Sequence, residues 1–230
     1  MGTSKGYIPP TKPEWSNAKR AVSGFLRNRD SDSRTNAIQK FGEAMNSSAA
    51  VGSTSFASAA GNVIAFAQDI RKYGLEHGLV NFGRSDLIGK SSDEILQELL
   101  YQFTNDSASI EDSLAADSLS QALENLQIDS VEQLESVDLD ILLKEMVISF
   151  VLISFDLNFD EKIGKGRTSS EKFEILDEMH SYIADELHAS LHSTELEQID
   201  LGNISAASIV QRTLKEAYDV CVRFYGEARK

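Results

Sequence analysis

The positions of the three prolines divide this 230-residue chain into two very different parts. Pro9, Pro10 and Pro13 lie within the first thirteen residues, and residues 14–230 contain no proline. Proline fixes the backbone angle φ and lacks an amide hydrogen, so it is excluded from helix interiors and central strands and keeps the preceding residue extended. The sequence therefore predicts an extended N-terminal tail over residues 1–13, followed by a segment that is free to form long helices.

The proline-free part places apolar residues at helical spacing along most of its length. The unbroken apolar run at residues 146–155 is assigned to a central helix, because residues 138–159 are too long for a buried strand and lack flanking turn residues. No two segments have the alternation and turn residues of a β-hairpin. Further predicted helices carry the apolar stripes Trp15, Ala18, Val22 and Phe25; Phe56, Val63, Ile64, Ala67 and Ile70; and Phe173, Leu176, Met179, Ile183, Leu187 and Leu191.

Serine residues mark the expected starts of three of these helices. Ser91 with Glu94 three residues later has the pattern of a capping box, and Ser130 with Gln133 repeats it. Ser109 stands at the third start, ahead of two acidic residues that favour the positive end of the helix dipole. We predict an all-α fold, a multi-helix globular bundle that follows the extended tail.

The size of the chain fits one all-helical domain over residues 14–230, with soft boundaries near residues 46–54 and 160–169. A single cysteine, Cys221, excludes a disulfide framework, and its apolar neighbours predict a buried thiol rather than a nucleophile. No secretory signal is recognisable, and the longest apolar run is about half of what a bilayer-spanning helix needs. We expect a cytoplasmic protein without a membrane-spanning segment.

Charge is distributed unevenly along the chain, whose formal net charge is -14. Residues 1–40 contain eight Lys or Arg and only three Asp or Glu, whereas residues 91–143 contain thirteen Asp or Glu and no Lys or Arg. The acidic stretch is interpreted as a solvated surface, as a docking surface for a basic partner or as a mimic of a nucleic-acid backbone, and it would repel nucleic acid. We therefore expect no direct nucleic-acid binding by the acidic body.

Three groups of residues resemble ligand sites without completing them. Residues 83–91 look like a phosphate-binding loop but have one residue too many between the glycines and follow no strand. Residues 164–168 form a basic loop, for which anion binding is the alternative to a plain connection. His188 and His192 lie four residues apart, as zinc ligands on a helix do, with Glu195 and His180 as the nearest further candidates. Two ligands do not close a site, so we predict no metal, no cofactor and no catalytic residues.

Tyr7 and Trp15 flank the prolines and have different expected roles. Trp15 belongs to an apolar helical stripe and is predicted to enter the core, whereas Tyr7 lies in the predicted extended tail and has little core to enter. A segment stiffened by proline loses less conformational entropy when it is bound, which suits recognition by a groove in a partner.

Four segments of the sequence together resemble the QatB-type proteins of the bacterial Qat antiphage systems, and the similarity runs through most of the chain. The long glycine-rich insert of some relatives has no counterpart here. The resemblance implies a protein encoded beside an ATPase, a QueC-like enzyme (QatC type) and a TatD-like nuclease. The segments are Met1-Gly2-Thr3-Ser4 with Tyr7, Pro9 and Pro10; the small residues 53–61; residues 86–96; and Ala217-Tyr218.

This family context implies a role for the tail. QueC-type chemistry activates a carboxylated deazapurine with ATP and captures it with ammonia, and a protein amine could replace that ammonia. The α-amine of Gly2, once Met1 is removed, has a pKa near 8 and no side chain to block attack. The hypothesis is that the QueC-like partner conjugates Gly2 to a deazaguanine-type base. The residues that would thread the active site of that partner are Thr3, Ser4, Lys5, Gly6 and Tyr7.

The alternative hypothesis is a helical scaffold or adaptor. In it, the acidic surface of residues 91–143 docks the ATPase of the system, and the tail stays unmodified. Both hypotheses predict a protein that is not itself an enzyme.

Overall fold

The computed structural model describes residues 12–47, 53–104, 109–199, 201 and 205–223, and throughout these residues the secondary structure is helical, without a β-strand. The all-α prediction is therefore confirmed. The α-helices in this part of the chain are α1 (Pro13–Asn28), α2 (Ser31–Ser47), α3 (Ser53–Tyr73), α4 (Leu75–Asn81), α5 (Ser92–Phe103), α6 (Ile110–Asn125), α7 (Val131–Ser136), α8 (Leu139–Gly164), α9 (Ser169–Ser190) and α10 (Ala206–Arg223).

The chain divides into two compact units. The first unit comprises the described residues of Met1–Ala50, Ser154–Ala189 and Tyr218–Lys230, and the second comprises those of Val51–Ile153 and Ser190–Ala217. The single domain expected from chain length stays a prediction.

An aromatic cluster forms the core of the first unit. Trp15 from α1 is 2% exposed, and its ring centroid lies 6.5 Å from that of Phe41 in α2 and 6.4 Å from that of Phe159 in α8. Phe155 completes the cluster, 5.3 Å from Phe41 with the rings nearly perpendicular. Edge-to-face pairs of this kind add stabilisation beyond the burial of their apolar area. The prediction that Trp15 enters the core is confirmed, and α1 is thereby fixed against α2 and the end of α8.

A buried arginine links α2 to α9 in the same unit. Arg34 is 9% exposed, and its Nη1 donates to Oε1 of Glu178 at 2.9 Å. Its guanidinium carbon lies 3.2 Å from the ring centroid of Tyr182. Glu178 also accepts a hydrogen bond of 2.7 Å from Arg29, just beyond α1. One carboxylate therefore joins α9 to the α1–α2 turn, with a cation–π contact that partly compensates the desolvation of Arg34.

The core of the second unit is built on α3. Phe56 in α3 stacks on Phe150 in α8 with ring centroids 4.3 Å apart. Buried Gln68, also in α3, donates from Nε2 to the carbonyl oxygens of Leu196 and Ile199 at 3.1 and 3.0 Å. These bonds hold the segment after α9 against α3, and the carbonyl oxygen of Leu196 also accepts a backbone hydrogen bond from Ile199.

Two glycines allow other helices to approach α10 closely. A Cβ atom on Gly42 in α2 would lie 2.8 Å from both the Cβ of Cys221 and the backbone nitrogen of Val222. In the second unit, a Cβ atom on Gly61 in α3 would lie 2.6 Å from the backbone nitrogen of Ala207. Since backbone atoms cannot move aside as a side-chain end can, both contacts require glycine.

Several local expectations need correction. Pro13, which the sequence placed in the extended tail, is the first residue of α1. Proline is tolerated there because the amide groups of the first helical turn have no hydrogen-bond acceptor within the helix. Ser91 forms no side-chain cap on α5, because its hydroxyl hydrogen-bonds to the carboxylate of Asp93 instead. Phe173, assigned to the buried stripe of α9, is 68% exposed, and Ile175 is buried in its place.

The Gly42 contact generates a stability prediction. Gly42→Ala should lower the free energy of unfolding by about 1–3 kcal/mol. The added methyl group forces α2 and α10 apart, and the free-energy cost of this separation exceeds what the higher helix propensity of alanine gains. Gly24→Ala is the matched control in the same unit, since its Cβ would meet no atom within 4 Å, and it should raise stability by about 0.5–1 kcal/mol. Urea denaturation followed by circular dichroism measures both, and equal effects of the two substitutions would contradict the close approach.

Candidate functional site

The residues predicted to be modified or gripped by a partner, Gly2 and Thr3 to Tyr7, lie outside the described residues. The structure describes the base of this segment. Lys12 has an extended backbone (φ -63°, ψ 149°) and precedes α1 directly, and its Nζ donates to the carbonyl oxygen of Ser47 at 2.8 Å. The buried Trp15 follows three residues later. Residues 1–11 are therefore joined to the described structure at a residue that is held in place.

Beyond this point, α1 presents basic side chains to solvent. Arg20 and Arg27 are exposed and Lys19 is half-buried, while the only acidic residue of the helix is Glu14 in its first turn. The net positive charge expected for the N-terminal region is thus carried at the surface, next to the base of the tail.

The acidic surface, residues 91–143, consists of solvated carboxylates wherever it is described. Each of its described Asp and Glu side chains is exposed or half-buried. Near its start the carboxylates have partners: Glu94 pairs with Lys90, Glu98 with Arg84, and Glu132 accepts a hydrogen bond from Ser92. The exposed acids Glu111, Asp117 and Glu124 on α6 have no ion pair in the described part of the chain. These are the charges that a basic partner could meet.

Two acids at the end of this surface have structural roles instead. Asp138 caps α8, because its Oδ1 accepts hydrogen bonds from the backbone nitrogens of Asp140 and Ile141 at 2.9 and 3.0 Å. Asp140 accepts hydrogen bonds from Ser193 Oγ at 2.8 Å, from Thr194 N at 3.0 Å and from Thr194 Oγ1 at 2.5 Å. Burial alone would raise the pKa of Asp140, but the hydrogen bonds from Thr194 and Ser193 outweigh it and lower this pKa below its ordinary value.

The two histidines considered as a zinc pair do not share a helical face. Helix α9 ends at Ser190, so His192 lies beyond it, where its Nδ1 pairs with Oε1 of Glu216 at 2.5 Å. His180 pairs with Asp156 at 2.7 Å. Within the described residues, no group of three or more His, Cys, Asp or Glu side chains is arranged to hold a metal ion.

The basic loop between α8 and α9 borders a surface cavity of about 500 Å³. Two of the cations that border it are engaged within the protein: Arg167 Nη1 donates to the carbonyl oxygen of Ile163 at 2.8 Å, and Lys172 of α9 pairs with Asp160 at 2.5 Å. Lys165 is exposed. The carboxylate of Glu171 accepts hydrogen bonds from both the nitrogen and the hydroxyl of Thr168, which occupies the start of α9. The hydrogen bonds of Arg167 and Glu171 cap the end of α8 and the start of α9, which is a structural role for this loop.

The remaining sequence motifs also have structural explanations. Residues 83–91 contain a short 3₁₀ helix, Ser85–Leu87, and the guanidinium of Arg84 folds back onto Asp86 and Glu98. The thiol of Cys221 is buried, and burial raises its pKa to about 12, so thiolate chemistry at neutral pH is disfavoured. No helix within the described residues is long and apolar enough to cross a bilayer.

The hydrogen bonds to Asp140 generate a pH-dependent prediction. Because the pKa of Asp140 is lowered in the folded state, its stabilisation is complete above the ordinary value of 3.8 and is lost as the pH falls through the folded value. Asp140→Asn should therefore cost about 1 kcal/mol at pH 7, and its difference from the original protein should shrink below about pH 4.

Asp129→Asn is the control, since Asp129 is an exposed acid of the same surface, and it should change stability by less than about 0.5 kcal/mol. Urea denaturation at a series of pH values gives the comparison. A cost for Asp140→Asn that stays constant from pH 7 to pH 3 would contradict the role assigned to its carboxylate.

Comparison with known proteins identifies a family. Residues 44–221, more than half of the chain, match the model of the QatB family, described as Qat anti-phage system associated protein QatB. No curated protein and no solved structure matches the chain significantly. The matched range begins within α2 and extends into α10, so it excludes the tail and α1.

Proposed function

Because this chain belongs to the QatB family and is a component of the Qat antiphage defence system, we propose that it is a substrate protein of that system and not an enzyme. In this proposal it binds the QueC-like enzyme (QatC type) in the cytoplasm. It presents to that enzyme the α-amine of Gly2, exposed after removal of Met1, for conjugation to a deazaguanine-type base.

The proposed step is formation of an amide bond. The partner activates the carboxylate of the deazapurine with ATP, and the neutral α-amine of Gly2 attacks the activated carbonyl carbon. The nitrogen–carbon bond forms, the leaving group departs with its electron pair, and the amine loses one proton. An α-amine with a pKa near 8 is partly neutral at cellular pH, whereas a lysine amine with a pKa near 10.4 is almost wholly protonated.

The observation that supports this proposal is the anchoring of the chain at the start of the first helix. The chain is fixed at Lys12, where α1 begins, and by Trp15 in the core. Nine residues lie between Gly2 and Lys12, and the ten Cα–Cα steps allow a reach of at most about 35 Å. A partner cleft could therefore take Gly2 without unfolding α1, and residues Thr3 to Tyr7 would line the path.

Intact-mass spectrometry tests the conjugation directly. The protein co-expressed with the other Qat components should gain the mass of the carboxylated deazapurine less one water. Gly2→Pro should abolish the gain, because its α-amine is secondary and lies in a ring. Gly2→Ala is the matched control, since it keeps a primary α-amine, and it should retain a measurable fraction of the gain.

Two results would contradict this proposal. One is an unchanged mass for the original protein despite expression of the whole system. The other is modification of Gly2→Pro to the same extent as the original protein, which would place the adduct on another residue.

The exposed acids of α6 favour a second candidate function, that of an adaptor. In this candidate the acidic surface, residues 91–143, docks the ATPase of the system and the tail is unmodified. Glu111, Asp117 and Glu124 are exposed and have no ion pair among the described residues, so they are available to a basic partner.

The adaptor candidate predicts that neutralising these acids weakens co-purification with the ATPase. The triple variant Glu111→Gln, Asp117→Asn, Glu124→Gln should retain less ATPase than the original protein, and the difference should fall as salt rises from about 50 to 300 mM. Asp32→Asn, Glu161→Gln and Glu174→Gln remove the same charge from exposed positions outside this surface and serve as the control. Equal retention by the two triple variants would exclude the adaptor.

A further inference from the structure

Helix α1 has one solvent-facing side that is basic and free of carboxylates. At 100° per residue, the positions of Lys19, Arg20 and Arg27 fall within an arc of about 100°, together with Lys12 at the helix start. The opposite side carries the buried Ala18, Ala21 and Phe25, and the buried Trp15 lies between the two sides. Glu14, the only acid of the helix, lies next to the buried side and is half-buried. We name the set Lys12, Lys19, Arg20 and Arg27 the cationic face.

The fold does not use these charges in ion pairs. Arg20 donates to the amide oxygen of Asn17 at 3.0 Å, and Lys12 donates to a backbone carbonyl. The described part of the chain offers no carboxylate partner to Lys19, Arg20 or Arg27. Nearby basic residues differ: Arg29 and Arg34 both bind Glu178. The positive charges of the cationic face are therefore not neutralised by ion pairs within the described residues, although the chain has 36 acidic residues.

The position of the cationic face indicates the kind of partner that it would contact. It starts at Lys12, the residue from which the tail leaves the fold. Any protein that holds Gly2 to Tyr7 in a cleft lies within about 35 Å of Lys12 and so comes close to α1. Nucleic acid is a poorer match, because a chain with a net charge of -14 repels a polyanion over most of its surface.

We propose that the cationic face of α1 docks an acidic surface that lies beside the cleft of the enzyme that takes the tail. This inference rests on the proposed function, because it names the second contact through which the same enzyme recognises this chain. The tail would supply the reacting amine, and the cationic face would supply affinity and association rate through electrostatic complementarity.

Charge reversal on α1 tests the inference with the purified QueC-like enzyme. The variant Lys19→Glu, Arg20→Glu, Arg27→Glu should raise the KM for modification of this chain by roughly 10-fold or more, because complementary charges become repulsive. Its kcat should stay near that of the original protein, because the tail sequence is unchanged. The original protein should show a KM that rises with salt, and the variant should lose this dependence.

The control variant is Lys72→Glu, Lys165→Glu, Arg212→Glu. It changes the net charge by the same amount at three exposed positions on other helices and loops, and its KM should remain within about 2-fold of the original. Circular dichroism and the melting temperature of both variants establish that each is folded before the kinetics are compared.

The outcomes separate this inference from the proposed function. If the original protein is modified and the two triple variants have equal KM values, the docking inference is wrong and the proposed function stands. If the original protein is not modified, the proposed function fails, and the dissociation constant of the two purified proteins then decides the docking inference. Equal dissociation constants for the original protein and the α1 variant, or no binding by either, would overturn it. So would binding of duplex DNA that the α1 substitutions abolish.

Discussion

Burial of Trp15 is the interaction on which the functional account depends. The indole packs against Phe41 and Phe159, so α1 is held by α2 and by the last turns of α8 within one compact unit. Loss of a buried tryptophan typically costs about 3–5 kcal/mol, a large part of the roughly 5–15 kcal/mol by which folded domains are stable. With Trp15 in place, the tail has a fixed origin at Lys12 and the basic residues of α1 point to solvent.

The same burial separates two kinds of basic residue near the N-terminus. Arg34 and Arg29 stabilise the unit by binding Glu178, and Arg34 also packs on Tyr182. Lys19, Arg20 and Arg27 contribute no ion pair to the described fold. The acidic surface divides in a similar way, because Asp138 and Asp140 bind backbone and hydroxyl groups while the exposed acids of α6, Glu111, Asp117 and Glu124, face solvent. Net charge alone does not distinguish structural charges from available ones.

Sequence reasoning predicted what depends on local pattern and missed what depends on contacts between distant residues. The helical class, the long helix through residues 138–159, the burial of Trp15 and the cap at Ser109 follow from periodicity and short-range chemistry, and the structure confirms them. The sequence predicted that His188 and His192 share one face of a helix, but α9 ends at Ser190 and His192 lies beyond it. Exact helix ends are difficult to predict from local pattern. The close approach at Gly42 has no local signal. The cationic face of α1 has a local signal in the sequence, because a helical projection of residues 12–28 separates its basic and apolar sides.

The central claim is that Gly2 is the residue on which the defence system acts, and the most direct measurement is tandem mass spectrometry of the N-terminal peptide. Protein isolated from cells that express the whole Qat system should yield a peptide that lacks Met1 and carries an added mass on the first fragment ion, which contains only Gly2. The same peptide from protein expressed alone should be unmodified. An unmodified Gly2 in both samples, or an added mass that maps to a lysine such as Lys5, would contradict the account.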